Sequence, residues 1–158
     1  MAIGGLAKPA FPGPQAKGLG DVLEFMRLIW GISHGLQSTS KRMEAALGVT
    51  GPQRLVIRIV GRWPGISAGD LARTLRLHPS TLTGILQRLD KRRLVTRTRD
   101  NRDTRLVRLT LTPEGKKLDR LNAGTVESAV RRSLRKIPAG KVRAAGEVLR
   151  QLERALTA

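Results

Sequence analysis

Between residues 79 and 91, small hydroxyl side chains, one amide and one guanidinium recur on one side of a predicted helix. Its other side carries leucine and isoleucine at positions i, i+3, i+4 and i+7, the pattern of a helix packed against a core. Short hydroxyl and amide side chains can hydrogen-bond to base edges in the major groove, which is about 12 Å wide and admits a helix. The sequence therefore predicts a recognition helix. Its candidate DNA-binding residues are Ser80, Thr81, Thr83, Gln87 and Arg88.

Arginines dominate the two strand-like segments that follow this helix. Residues 95–98 and 106–109 are rich in valine, threonine and leucine and are joined by a polar turn, which predicts a hairpin. Residues 88–108 contain nine basic and three acidic residues. In this hairpin we expect Arg97 and Arg99 to contact phosphate groups, although arginine runs are often only a solvated face.

A short helix is predicted just before the recognition helix. Ser67 and Asp70 have the spacing of an N-terminal capping pair. Pro79 suits the first position of the next helix, because its φ is fixed and it lacks an N–H, and His78 is expected to cap that helix or to touch phosphate. Helix, three-residue turn, helix and hairpin together predict a winged helix-turn-helix.

The positioning elements on the N-terminal side are two further helices. Residues 21–47 suit the first, although Gly31 and Gly35 weaken its middle and predict a kink or a break there. Pro52 begins the second, in which Trp63 is expected to belong to the core.

On the C-terminal side, one helix is predicted from Pro113 to about Leu134, and another begins at Pro138. Both carry more apolar surface than one winged domain needs, which predicts a homodimer interface built from the two ends of the chain. The interface candidates are Leu23, Met26, Leu134, Val142, Leu149, Leu152 and Leu156.

The predicted fold class is therefore mainly α with a small β-wing (α+β): a winged helix-turn-helix with N- and C-terminal dimerisation helices. The expected divisions are a disordered Gly/Pro-rich tail (residues 1–19), an N-terminal dimerisation helix region (20–50), the winged helix-turn-helix lobe (51–112) and the C-terminal dimerisation helices (113–158).

Charge and composition favour some partners and activities of the chain and exclude others. Thirty Lys and Arg residues against twelve Asp and Glu residues give a net charge of +18, which favours a polyanionic partner. Membranes are the competing partner, but no apolar run approaches the roughly 20 residues of a spanning helix, so double-stranded DNA and a cytoplasmic location are expected. With two histidines and no cysteine, no catalytic or metal-binding constellation can be assembled, and we expect neither an enzyme nor a cofactor.

Trp30 and His34 lie one turn apart in the first predicted helix. They are candidates for an effector pocket, and ordinary packing in the dimer is the alternative that the spacing favours.

The order of helices and two short runs resemble a known family. Leu89-Asp90-Lys91-Arg92-Arg93-Leu94-Val95 is followed by Arg-Asp-Asn-Arg-Asp-Thr-Arg at residues 99–105 and by Leu-Thr and Thr-Pro-Glu-Gly at 109–115. This arrangement, over about residues 20–157, is similar to the MarR family of bacterial transcriptional regulators.

The resemblance implies a homodimer that binds a pseudo-palindromic operator, with recognition helices in successive major grooves. It implies that Arg102 or Arg105 enters a flanking minor groove and that Asp100 or Asp103 holds the wing loop. It further implies release from the operator by a small aromatic or anionic effector.

Two positions depart from the family pattern or weaken the helix. Arg93 stands where the family usually has the glycine that ends the recognition helix, so this helix is expected to end by a different route. Gly84 lies within the recognition helix and lowers its helix propensity.

The alternative function is a non-specific architectural nucleic-acid-binding protein. The ratio of operator affinity to random-DNA affinity distinguishes such a protein from a specific regulator.

Overall fold

The computed structural model of the protein describes residues 20–100, 103 and 106–157. The predicted tail, together with Arg102 and Arg105, lies outside the described residues. The described residues fall into two compact units, the first ending at Gly35 and the second beginning at Leu36.

Seven helices and three strands make up the described residues. The helices are α1 (Gly20–Leu47), α2 (Gly51–Arg62), α3 (Ala68–Leu75), α4 (Pro79–Lys91), α5 (Pro113–Arg120), α6 (Val126–Leu134) and α7 (Ala139–Thr157). The strands are β1 (Ile66–Ser67), β2 (Val95–Arg99) and β3 (Val107–Leu111). This architecture confirms the predicted fold class, a mainly helical chain with a small β-wing. No helix in the described part of the chain is long and apolar enough to cross a membrane.

The sheet is antiparallel, with the strand order β1-β3-β2. The predicted hairpin pairs Val95 with Leu111 and Arg99 with Val107. The two-residue strand β1, which the sequence patterns did not indicate, pairs Ile66 with Leu109. It joins the start of the helix-turn-helix to the wing.

The core of the second unit lies between the helix-turn-helix and the sheet. The apolar face of α4 is buried as its period predicted, and it packs with residues of α2, α3 and the strands. The fully buried members of this core include Val56, Ile57, Val60, Leu71, Leu89 and Leu109.

Local side-chain contacts explain where the helices begin. Thr50 accepts a hydrogen bond from the Gln53 N–H while the Gln53 amide oxygen accepts one from the Thr50 N–H, a reciprocal capping box at α2. At α3 the Asp70 N–H donates to Ser67 Oγ at 3.0 Å. The Asp70 carboxylate reaches back to Ser67 as predicted, but it accepts from the hydroxyl, at 2.6 Å. That hydrogen bond and the Arg73 guanidinium lower the pKa of Asp70.

Arg93 corrects the prediction made for the end of the recognition helix. It lies in the left-handed region, with φ of 53°. The Leu94 N–H donates to Leu89 O at 2.9 Å and the Arg93 N–H donates to Asp90 O at 2.7 Å. These two bonds form a Schellman motif, which normally has glycine at the left-handed position. Helix α4 therefore ends in the usual Schellman motif, although the residue at the left-handed position is an arginine.

Two features of α1 and α2 differ from the predictions. Helix α1 runs through Gly31 and Gly35 without the break that was one of the two predicted outcomes, because an isolated glycine lowers helix propensity by only about 1 kcal/mol. Trp63 is 52% exposed rather than in the core. It follows the last residue of α2 as its C-cap, so its side chain is no longer carried on the buried face of that helix.

The helix predicted from Pro113 to Leu134 is interrupted. Leu121 is extended and Gly124 has φ of 70°, and α6 starts anew with Thr125, whose Oγ1 accepts from the Ser128 N–H at 3.2 Å. Carbonyl groups at the end of α5 are thereby left without helical partners.

Arg54 of α2 supplies these partners. Its side chain is 1% exposed. The guanidinium donates to Leu118 O, to Asp119 O at 3.2 Å and to Leu121 O at 2.6 Å, and its Nε donates to the Glu127 carboxylate at 2.8 Å. We call this cluster of Arg54, Glu127 and the three carbonyls the Arg54 joint. It joins α2 to both α5 and α6.

Candidate nucleic-acid interface

Helix α4 presents one buried and one exposed face. Leu82, Ile85, Leu86 and Leu89 are buried, whereas the five predicted DNA-binding residues of this helix are all exposed. The buried stripe fixes the rotation of the helix about its axis, because turning it would expose four large apolar side chains. The polar face is therefore held outward.

The first turn of α4 has a local hydrogen-bond network. The Ser80 N–H donates to His78 Nδ1 at 3.3 Å, and Ser80 Oγ lies 2.7 Å from the same nitrogen. His78 thus caps the helix, which was one of the two roles predicted for it. Thr83 Oγ1 donates to Pro79 O at 2.8 Å. The hydroxyl proton of Thr83 is already used, so its oxygen is left as an acceptor.

Thr81, Gln87 and Arg88 differ from these two residues. Within the described part of the chain their side chains make no hydrogen bond, so all of their donors and acceptors remain available to a ligand. Gly84 lies between them on the helix surface, and a methyl group added there would meet no atom within 4 Å. The centre of the exposed face is therefore flat.

The wing arginines lie on β2, beside the C-terminal end of α4. Arg97 Nε is 3.9 Å from the Asp90 carboxylate of α4, and Arg99 is exposed. This contact places the hairpin cations near those of the recognition helix, although the two elements are separated by a turn.

Asp100 lies at the base of the wing loop. It accepts from Arg108 Nε at 2.6 Å and, through Oδ1, from the Asp103 N–H at 3.1 Å. Arg108 Nη1 also donates to Gly65 O at 3.3 Å. Asp103 contributes a carbonyl that accepts from the Leu106 N–H at 2.9 Å. Sequence analysis did not single out Arg108, because only the pairing of β1 with β3 brings Gly65 beside it.

The remaining predicted site residues lie away from α4. Trp30 is 65% exposed and His34 is exposed on the same helix, within the first unit. The seven interface candidates are all exposed or half-buried in the single chain, for example Leu149 at 53% and Leu156 at 77%. Among the described residues, no group of His, Cys, Asp and Glu side chains could hold a metal ion.

Helices α3 and α4 form a helix-turn-helix, the short strand β1 at its start pairs with β3, and β2 and β3 form a hairpin that carries arginines. This combination defines a winged helix-turn-helix protein. A model of the MarR family matches residues 47–106. An HTH-type transcriptional repressor from Mycobacterium tuberculosis is 27% identical over 137 residues, which cover 87% of this chain and 96% of that protein.

Solved structures share the fold. The S. aureus MepR–DNA complex aligns with a TM-score of 0.71 and 19% identity, covering 84% of this chain and 97% of that one. The PcaV transcriptional regulator from Streptomyces coelicolor, in complex with its natural ligand, aligns with a TM-score of 0.69 and 22% identity, covering 87% and 94%. Over residues 47–106 the chain is therefore similar to the MarR family, and the solved structures show that it shares the winged-helix fold.

Proposed function

We propose that this chain is a sequence-specific transcriptional repressor that acts as a homodimer on a pseudo-palindromic operator. The observation that carries the proposal is the fixed outward orientation of the polar face of α4, with Arg88 exposed on the helix and Arg97 of β2 beside its C-terminal end. Support comes from the match of residues 47–106 to a model of the MarR family, from the similarity to the M. tuberculosis repressor and from the fold shared with MepR, which was solved with DNA.

In this proposal α4 lies in the major groove and reads base edges. Gln87 and Thr81 have free hydrogen-bonding groups, and a glutamine amide can pair bidentately with adenine. Thr83 acts as an acceptor, because its hydroxyl group already donates to Pro79 O, and Ser80 contacts DNA beside the His78 cap. Arg88 contacts the edge of the groove.

The wing supplies contacts to the backbone. Arg97 and Arg99 of β2 contact phosphate groups, while Arg102 or Arg105 enters the minor groove. Asp100 and Asp103 hold the loop that carries these arginines. Contacts of this kind set position and affinity, whereas the contacts of α4 set sequence preference.

The dimer sets the spacing of the two α4 helices. Recognition helices of a two-fold dimer read half-sites about one turn of DNA, or 34–36 Å, apart. The exposed apolar residues of α1, α6 and α7, the interface candidates named above, form the contact between the subunits. Bound at the operator, the dimer represses by occluding polymerase.

A small aromatic or anionic effector releases the operator in this proposal. Trp30 and His34 are the candidate ligand-binding residues, with packing in the dimer as their alternative role. PcaV, which shares the fold, was solved with its natural ligand. Binding of the effector changes the separation of the two α4 helices and so weakens both half-site contacts.

Selection of binding sites from random duplexes tests the proposal directly. We expect one inverted-repeat sequence to be enriched and to bind at least about a thousandfold more tightly than random DNA. A ratio near one would instead support the alternative function, a non-specific architectural protein, for which the net charge of +18 would be sufficient.

A further inference from the structure

A second cationic surface lies at the end of α6, in the turn that follows and at the start of α7. Residues 128–146 contain six basic residues and no acidic residue. We call this stretch the α6–α7 tip. Its basic residues, all exposed, are Arg131, Arg132, Arg135, Lys136, Lys141 and Arg143.

The charge of the tip is not compensated within the chain. None of its six cations takes part in an ion pair or a side-chain hydrogen bond with the described residues. Arg73, Arg76, Arg97 and Arg108 of the helix-turn-helix and wing each have a carboxylate partner. Arg88 and Arg99 of the proposed DNA-binding surface, like the cations of the tip, have no ion pair among the described residues.

Two ion pairs show where the tip lies along its helices. Helix α6 starts at the Arg54 joint, where Glu127 pairs with Arg54. Near the other end, Glu153 of α7 pairs with Arg76 at the end of α3. At 1.5 Å per residue, α6 extends about 10 Å beyond Glu127 and α7 extends about 20 Å from Glu153 back to its start. Both helices therefore carry the tip away from the points at which they touch the lobe.

A solvated face is the simpler explanation, and the start of α7 argues against it. Arg131, Arg132 and Arg135 lie in the last turn and at the C-cap of α6, where the helix dipole favours cations. Lys141 lies near the start of α7, where the dipole disfavours a cation, and the first turn of α7 contains no acidic residue. A polyanion lying along the tip offsets this repulsion.

We propose that the α6–α7 tip binds the phosphate backbone of a second DNA duplex segment, separate from the one held by α4. This inference rests on the proposed function in one respect, because the first duplex is the operator that α4 holds. Arginine and lysine side chains neutralise phosphates and release counterions, without reading sequence. A protein with both surfaces bridges two segments of DNA.

A bridging measurement tests this site in the full chain. Operator DNA is immobilised and saturated with protein, and capture of a labelled duplex of random sequence is then followed against salt concentration. The tip variant combines Arg131→Gln, Arg132→Gln, Arg135→Gln and Lys136→Gln. We expect it to capture the second duplex at least tenfold more weakly, with a salt slope reduced by about 0.9 for each phosphate that is no longer neutralised, and to bind operator within twofold of the wild type.

The control variant removes four exposed cations from other parts of the chain. It combines Lys41→Gln, Arg42→Gln, Arg150→Gln and Arg154→Gln, which lowers the net charge equally. It should retain capture of the second duplex, because the effect is assigned to the tip and not to total charge. Equal capture by the tip variant and the wild type, or equally weakened capture by the two variants, would overturn the proposal.

A membrane surface is the competing partner, and phosphatidylserine vesicles serve as its probe. Tip-dependent binding to these vesicles without capture of a second duplex would also overturn the proposal. Failure of the proposed function is a separate result, since immobilised operator and immobilised random DNA would then bind the protein equally. The capture step can still be measured on either duplex.

Discussion

Two arginines end helices of the helix-turn-helix in the left-handed region of backbone space. Arg76 has φ of 50° and Arg93 has φ of 53°. For a residue with a Cβ atom this conformation costs roughly 1–2 kcal/mol. In both cases Schellman-type hydrogen bonds hold the chain in place, from Leu77 to Ala72 O and from Leu94 to Leu89 O. The turns are therefore retained at a cost in stability.

Replacing Arg93 by glycine should relieve that cost. We expect Arg93→Gly to raise the free energy of unfolding by about 1 kcal/mol, because glycine reaches this φ without a steric clash. The measurement is urea denaturation. Arg93→Ala is the matched control, since it removes the same side chain but keeps the Cβ atom. An equal gain in both variants would assign the effect to the arginine side chain and not to the backbone.

In the proposed function, Gln87 of α4 reads a base. We expect Gln87→Ala to cost about 1–3 kcal/mol of binding at one base pair and to relax the preference there. Affinity for operators mutated at each position measures this. Gln151→Ala, at an exposed glutamine of α7, is the control and should leave all preferences unchanged. A uniform loss across all sequences would instead identify Gln87 as a backbone contact.

At the scale of elements, the Arg54 joint holds α2, α5 and α6 together. One buried guanidinium donates to three carbonyl groups at and just beyond the end of α5. Arg58 adds a second contact, donating to Asp119 O and to its carboxylate, both at 2.8 Å. The direction of the C-terminal helices therefore depends on side chains of α2.

Removing the guanidinium should be strongly destabilising. We expect Arg54→Met to lower the free energy of unfolding by about 3 kcal/mol or more, because buried carbonyls lose their donors and Glu127 loses its partner. Denaturation in urea measures the change. Arg58→Met, at the half-exposed neighbour, is the comparison and should cost less. Comparable losses would show that the joint is not centred on Arg54.

The acid dependence of the joint has a definite sign. Burial raises the pKa of Glu127, but hydrogen bonding and charge attraction by Arg54 outweigh this and leave it lowered overall. A carboxyl group with a lower pKa in the folded state stabilises the fold above its unfolded pKa, and this contribution is lost as pH falls through the folded value. The stability difference between wild type and Glu127→Gln should therefore shrink below about pH 4. A stability difference between the two proteins that stays constant from pH 7 to pH 3 would contradict this prediction.

At the scale of the whole molecule, several large apolar side chains are exposed in the single chain and do not belong to its core. Leu149 and Leu156 lie on one face of α7 and are largely exposed in the single chain. Large exposed apolar patches commonly mark interaction surfaces. In the proposed homodimer, this surface determines how the two α4 helices are presented to DNA.

Disrupting that face should separate the subunits and weaken operator binding together. We expect Leu149→Asp to yield a monomer and to reduce operator affinity by at least about a hundredfold through lost bivalency. Analytical ultracentrifugation and operator titration measure the two effects. Gln151→Asp introduces the same charge on the opposite side of α7 and should do neither. A monomeric Leu149→Asp that binds operator with full affinity would refute the coupling between dimer and DNA.

Local patterns determined much of this protein from sequence alone. The buried stripe of α4, its start at Pro79 and the capping roles of Ser67 and His78 were predicted and are present. Each depends on residues no more than seven positions apart, so periodicity and spacing were sufficient. The hairpin followed for the same reason, since its two strands are neighbours in the chain.

Only the tertiary structure decided the features that join distant residues. Arg54 meets carbonyls and Glu127 more than sixty positions away, and this contact accompanies the break that the apolar pattern of residues 113–134 concealed. Strand β1 exists because β3 lies beside it. Trp63 is exposed because its helix ends just before it. For Arg54 and β1, the stabilising free energy comes from partner residues far away in the chain, which sequence spacing does not reveal.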